Sequence, residues 1–536
     1  MAQERHRSLF DKKQKAKDTK GTLKRIWTYL NSNRKALFLT FFLSGLTAIL
    51  GIIATRMSGY AIDDYIVLQD QRGLFSLCAL LLVVYLLGVL STYYQNRKMV
   101  RIAQHTSANL RRDLYGEIQL LPIEYFDTHP SGDIMSRLTN DVDQISMTIS
   151  ENLTQLFGGV VNIVGMTLAM LLLSPILFLV GILTLPLTIL LTKLLVRLTQ
   201  PSFKAQQKEL GLMNGYIEEH ISGQKIILTY GQEEKVEQEF EKINHRIRKH
   251  GVIAQALSGL MGPISNAINN LSYFLIAITG AYIYIQGGEM SVGVIFTFVL
   301  YMRNFTRPIN QIMNMFNTIQ AALAGAERVF EVMDEKKEVS DQELYEQEIG
   351  KKNDMKINGQ IDFHQVQFSY EKAKPILKNL SFQAKAGQTI AIVGHTGSGK
   401  TTIINLINRF YPVDAGKIEI DGRNIQEFSL YELRRKVALV LQDTFLFSES
   451  IGENIAYGHP NASKEQVEEA ARLANAHHFI EQLPEGYDTI LEDNGSNLSH
   501  GQRQLLAIAR AILSEGAILI LDEATSSIDT NTELLV

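Results

Sequence analysis

The 536-residue sequence predicts a multi-domain chain, in which an all-α polytopic membrane domain of six transmembrane helices is followed by a soluble α/β domain. Three observations carry that expectation. Uncharged apolar runs of span length, about 20 residues, cluster in the first part of the chain. From Lys351 the pattern changes to alternating strands and a glycine-rich turn. The mean hydropathy, +0.01, is high for a chain that is also 20% charged, so apolar and charged residues are segregated along it.

The chain opens with a basic arm, residues 1–35, dense in Lys and Arg from Arg5 to Lys35. Because the arm abuts an apolar helix, retention of positive charge on the cytoplasmic side explains it more economically than nucleic-acid binding. No nucleic-acid partner is expected. The membrane domain covers residues 36–330. Its secure spans are Ala36 to Thr55, Gly73 to Tyr94, Leu153 to Leu173 and Ala256 to Ile285, and Pro175 to Thr192 forms a hairpin with the third through a Ser174-Pro175 turn. The sixth starts at Val292. It must continue through Arg303 and Arg307, which requires that part to leave the lipid or to face a wet cavity.

Charged, helix-favouring stretches from Arg97 to Asp143 and from Lys193 to Gly251 are expected to extend the helices into the cytoplasm. The loop Asp70 to Arg72 and the turn Gly287-Gly288-Glu289 lie outside. An even number of spans returns the chain to the cytosol, so the expectation is a multi-pass protein of the bacterial plasma membrane with residues from Lys336 on its cytoplasmic side. The single cysteine, Cys78, excludes an intramolecular disulfide or a cysteine-based zinc cluster, and no cleavable signal peptide is apparent. Two amide stripes, Asn266/Asn269/Asn270 and Asn310/Asn314/Asn317, admit two readings: hydrogen bonds between helices, or the lining of a path for an amphipathic substrate. Asp63 and Asp64 read as interfacial.

A linker, residues 331–355, leads to the second domain, residues 356–536, whose first strand opens at Gly359 to Phe363 and continues through Val366 to Tyr370. The apolar strand Thr389 to Val393 runs into Gly394-His395-Thr396-Gly397-Ser398-Gly399-Lys400-Thr401, with Thr402 opening a helix. This is a phosphate-binding loop in its strand–loop–helix setting. Its glycines let backbone N–H groups approach phosphate oxygens, Lys400 spreads its charge over the β- and γ-phosphates, and Thr401 supplies a hydroxyl to Mg²⁺. A second apolar strand, Ala517 to Leu521, ends in Asp522-Glu523. Five apolar residues in a row imply a buried strand. A carboxylate at its end orients Mg²⁺, the role given to Asp522, and the next, Glu523, takes a proton from the attacking water.

At this point the chain resembles the ATP-binding-cassette family, specifically exporter half-transporters with membrane and nucleotide domains fused. The most specific element is Leu498-Ser499-His500-Gly501-Gln502-Arg503-Gln504, similar to the family signature and correctly placed before Asp522-Glu523. The resemblance implies a helical subdomain in the cassette. It also implies that Ser499, His500, Gly501 and Gln502 close over ATP held by a partner's phosphate-binding loop. It further implies an adenine-stacking role for Tyr370, sensing of Mg²⁺ and γ-phosphate by Gln442, and coupling between sites by Asp529. Phe126-Asp127 through Asp143 and Glu218-Glu219 through Gly223 resemble the two intracellular loops that touch cassettes.

Two departures bear on mechanism. His500 stands where the family has glycine, a pattern resembling heterodimeric exporters with unequal ATP sites. The expected partner is therefore a second half-transporter with a degenerate catalytic acid. The chain ends at Val536, before the switch histidine and final strands of the family pattern, so the resemblance implies impaired hydrolysis by this polypeptide as given. The function expected is ATP-driven export of an amphipathic drug, lipid or peptide-like substrate. An ATP-gated channel or regulatory subunit and a homodimeric exporter are the alternatives.

Overall fold

The computed structural model describes residues 18–288, 290–338, 357–372 and 374–523, with the backbone alone at 310, 313, 314 and 317. The side chains of the Asn310/Asn314/Asn317 stripe, and Asp529, therefore lie outside the described residues. Contacts divide the chain into two compact units, Met1–Gly116 with Met135–Asp334, and Glu117–Ile134 with Glu335–Val536.

The first unit is helical. Thr19–Asn31 begins where the Asp18 carboxylate accepts the Gly21 N–H at 2.9 Å, a side-chain cap for a helix start. Arg34–Ile66, Gln71–Ile118, Ser131–Leu173, Pro175–Ser222 and Glu233–Ile285 are each long and apolar enough to cross a membrane. The last helix, Val292–Met333, is long enough at 42 residues, but Arg303 and Arg307 interrupt its apolar stretch and it is not among those five. Ser174 and Pro175 act as expected at the hairpin: Ser174 caps the helix Pro175–Ile182 and proline takes its first turn.

Asp63 has partners that the sequence does not mark. It sits in a short π-helical turn, Ala61–Ile66, and its carboxylate accepts the Gly293 N–H at 2.7 Å and the Ser291 hydroxyl at 2.5 Å. It thereby ties the outer end of the first span to the start of the last helix. The two backbones approach closely there, since a Cβ at Gly293 would lie 2.3 Å from the Gly59 carbonyl oxygen. Below this clasp, Met166, Met170, Leu177, Ile276, Phe298 and Met302 form a buried core.

Among the described residues the second unit holds two sheets. β1 (Ile361–Phe368), β2 (Leu377–Ala384), β3 (Ala415–Ile420) and β4 (Arg423–Asn424) make an antiparallel sheet in the order β2-β1-β3-β4, and β5 (Val437–Val440) pairs in parallel with β6 (Ile518–Leu521). Phe363, Phe368, Leu406, Ile418, Ile420 and Leu433 fill the core over the first sheet. A second core packs the helix His500–Leu513 against Lys464–Leu473 and Ile451–Ala456, which gives the cassette a helical subdomain.

Two strand expectations are corrected here. Thr389–Val393 forms no strand and pairs with none among the described residues, and Ile390, Ile392 and Val393 are exposed. An apolar run encodes only a tendency to extend, and a strand exists when a neighbour accepts its backbone bonds. β6 is likewise only partly buried: Ile518 is inside, whereas Leu519 and Leu521 are about half exposed, and among the described residues the strand is paired along one edge, to β5.

The segment Glu117–Ile134 belongs to the second unit although it interrupts the helical sequence of the first. It contains the short helix Ile123–Thr128, whose Tyr125 is buried and whose Asp127 accepts a hydrogen bond from the Tyr411 hydroxyl. Nearby, Glu338 accepts a two-pronged bond from Arg434, and its own N–H donates to the Leu120 carbonyl at 2.8 Å.

Candidate functional site

The phosphate-binding loop turns through Gly397 and Gly399, whose φ angles of 81° and 99° lie in the left-handed region open chiefly to glycine. Gly399 then leads into the helix Lys400–Ile407, so the positive end of that helix and its unpaired N–H groups face the loop. Thr402 is buried and anchors the helix, while Thr401 points the other way. Its hydroxyl lies 3.2 Å from Asp522 Oδ2. Lys400 reaches over the loop and donates to the Gly394 and His395 carbonyls at 2.9 and 3.3 Å. Thr396 and Ser398 lie on the exposed rim of the loop.

Asp522 ends β6 and is buried, and its N–H donates to the Val440 carbonyl at 3.0 Å, which holds it against the end of β5. Glu523 is exposed and has a left-handed φ of 49°, an unusual conformation for a non-glycine residue. Gln442, in the loop after β5, donates from Nε2 to Glu523 Oε2 at 2.8 Å. Thr401, Asp522, Glu523 and Gln442 are thus gathered at one end of the parallel β5–β6 pair. Thr401 and Asp522 offer the hard oxygen ligands that Mg²⁺ takes.

Ser499 and Gln502 form a capping box at the start of His500–Leu513: Ser499 Oγ accepts the Gln502 N–H at 3.2 Å and Gln502 Oε1 accepts the Ser499 N–H at 2.9 Å. The box leaves His500 and Gly501 in the first turn, where helical N–H groups have no partner within the helix. His500 is exposed. This motif belongs to the helical subdomain, and its Gln504 Nε2 makes a long contact with the Glu523 carbonyl at 3.4 Å.

Tyr370 is partly exposed and set edge-on to Phe368 and Tyr411, with ring centroids 4.8 and 4.9 Å away, and its hydroxyl accepts a hydrogen bond from Asn405 at 2.9 Å.

Sequence reasoning missed several supports. Asn405 lies one turn beyond Thr401 on the same helix, a spacing that could have suggested it. Gln504 sits inside the quoted signature but had no role. Arg510 donates to the Phe445 and Asn454 carbonyls at 3.0 and 2.8 Å, fixing the loop that follows Gln442, and burial lowers its pKa from the usual arginine value. Tyr411 carried no local signal. Burial, and then its bond to Asp127, push its phenol pKa well up, so it remains a donor.

The profile of the family described as ABC transporter transmembrane region matches residues 37–309, and that described as ABC transporter matches residues 377–526. The chain is 44% identical over 524 residues to an uncharacterized ABC transporter ATP-binding protein, YfiC, of Bacillus subtilis, covering 98% of this chain and 85% of that one. It is 39% identical over 458 residues to a fatty acid ABC transporter ATP-binding/permease protein of Mycobacterium tuberculosis, covering 85% and 71%. To an ATP-dependent lipid A-core flippase of Syntrophus aciditrophicus it is 34% identical over 477 residues, covering 89% and 78%. Membrane-spanning helices, a phosphate-binding loop beside Asp522-Glu523 and these matches along most of its length agree: the chain belongs to the ABC transporter family, as an exporter half-transporter whose ATPase domain drives transport.

Proposed function

We propose that the chain is one subunit of a heterodimeric exporter in the bacterial plasma membrane, moving an amphipathic, lipid-like substrate. The observation that carries the ATPase roles is the gathering of Thr401, Asp522, Glu523 and Gln442 at one end of β5–β6. Tyr370 would carry the base of ATP and the backbone from Gly394 to Thr402 its phosphates, and Lys400 would exchange its carbonyl partners for phosphate oxygens. Mg²⁺, when bound beside Thr401 and Asp522, offsets phosphate charge. Glu523 accepts a proton from the attacking water, and the Gln442 amide holds its carboxylate in place.

A dimer is supported by two features. Ser499, His500 and Gly501 present a helix start suited to a γ-phosphate, yet they stand apart from this chain's own phosphate-binding loop. Ile221, Ile226, Leu228 and Tyr230, around the short helix Gln224–Tyr230, are exposed apolar residues in a stretch read as cytoplasmic, as a partner-facing surface requires. Unequal sites are supported by His500, whose side chain replaces the glycine that lets backbone meet phosphate. The relatives named as a fatty acid transporter and a lipid A-core flippase support a lipid-like cargo.

Co-purification of the full-length chain with its partner, followed by uptake into inverted vesicles, tests the reading. ATP-dependent, unidirectional accumulation of an amphiphile is expected. Nucleotide-gated equilibration in both directions refutes the pump, and a homodimer with equal turnover at two sites refutes the asymmetry.

A further inference from the structure

Arg303 and Arg307 have no role in the ATPase machinery. Both lie in Val292–Met333, about 17 and 23 Å along the helix from Val292 at the standard rise, depths that fall inside a hydrocarbon layer of about 30 Å. Both side chains are exposed, and neither has an acidic partner among the described residues. From Val292 to Ala326 the helix itself contains no Asp or Glu.

The face they share is distinct. Phe298, Tyr301, Met302 and Phe305 are buried in the helical core. Phe296, Arg303, Arg307 and Gln311 recur at helical spacing on the opposite, exposed side. Surface open to lipid looks different in this chain. The apolar window of Gln71–Ile118 is 0% buried, and from Gly73 to Asn96 it carries no charged residue. Unpaired guanidinium groups at membrane depth are costly against lipid tails and are found facing polar cavities. The exposed face of Val292–Met333 therefore looks onto a wet path.

We propose that Arg303 and Arg307 bind the anionic headgroup of the cargo, so that the transported amphiphile bears a carboxylate or a phosphate. Their spacing of four residues places the two side chains as neighbours on one face. Each planar guanidinium can meet two oxygens of one oxyanion. Phe296, one turn and more toward the outer end, offers apolar surface on the same face for an alkyl chain. The inference rests on the exporter reading and narrows it to a headgroup chemistry.

The test uses the full-length chain with its partner in nanodiscs and four probes of equal chain length: dodecanoate, dodecyl phosphate, dodecanol and dodecyltrimethylammonium. Equilibrium binding without nucleotide is measured for the native protein and for Arg303→Gln/Arg307→Gln. The expected result is preferential binding of one or both anions, weakened about tenfold or more in the Gln pair and partly restored in Arg303→Lys/Arg307→Lys, which keeps the charge but not the two-pronged geometry and also controls for misfolding. Preference for dodecanoate or for dodecyl phosphate identifies the headgroup. Equal affinity for dodecanol and both anions, or unchanged anion binding in the Gln pair, overturns the proposal. Failure of ATP to drive any probe into inverted vesicles counts against the exporter reading instead, and is read separately from binding.

Discussion

Replacing Tyr411 by Phe removes one hydroxyl and keeps the ring that packs 4.9 Å from Tyr370 and 5.7 Å from Phe368. The hydroxyl's partner is the Asp127 carboxylate on the short helix Ile123–Thr128. A hydrogen bond to a charged group contributes about 1.5–3 kcal/mol, but Asp127 is exposed and water takes over part of that role. The net loss expected is about 1 kcal/mol, roughly a fivefold shift toward the undocked helix. Since the ring remains beside Tyr370, ATP affinity should change little. Hydrogen exchange across Ile123–Thr128 should rise about fivefold in Tyr411→Phe, and substrate moved per ATP hydrolysed should fall in proteoliposomes. Asp127→Asn should act similarly, and the double variant should be little worse than either single one. Unchanged exchange together with an unchanged transport-to-hydrolysis ratio would refute the reasoning, as would additive losses in the double variant.

Glu523→Gln, in the full-length dimer, should retain ATP and cut turnover by about 10²-fold or more through loss of the base; unchanged ATPase sinks that role. Lys400→Ala should instead weaken nucleotide binding itself, because phosphate loses a charge-assisted donor, and equal ATP affinity in isothermal titration argues against it. His500→Gly should alter nucleotide occupancy at the partner's loop while barely raising hydrolysis if that partner lacks a catalytic acid. A clear rise in ATPase at both sites indicates a homodimer.

What was legible in the sequence was local. Span-length apolar runs, the Ser174-Pro175 turn and the phosphate-binding loop each announce themselves within about 20 residues, because hydropathy and glycine spacing act over that range. The contacts that hold each unit together join distant segments: Tyr411 to Asp127, Gln442 to Glu523, and Asp63 to Gly293. Nothing in either partner's neighbourhood marks the other. Asp63 is an example, since a carboxylate near a helix end shows its place in the chain but not the N–H group whose bond it accepts. Thr389–Val393 shows the converse, with a clear strand pattern and no paired neighbour among the described residues.

The helix Gln71–Ile118 runs 48 residues without a proline, so at the standard rise it is a rod about 72 Å long. Two other long helices carry an internal proline, Pro201 and Pro308, and so have a built-in place to bend. The proline-free rod has no such joint. Its last residues, from Glu117, belong to the same compact unit as the cassette, through the short helix that Tyr411 holds. Leverage follows from length: a tilt of about 5° at the foot displaces the far end by about 6 Å, comparable to the width of a lipid chain. A displacement at the foot of this helix is thus carried along its own length as mechanical gain, with no proline joint to absorb it.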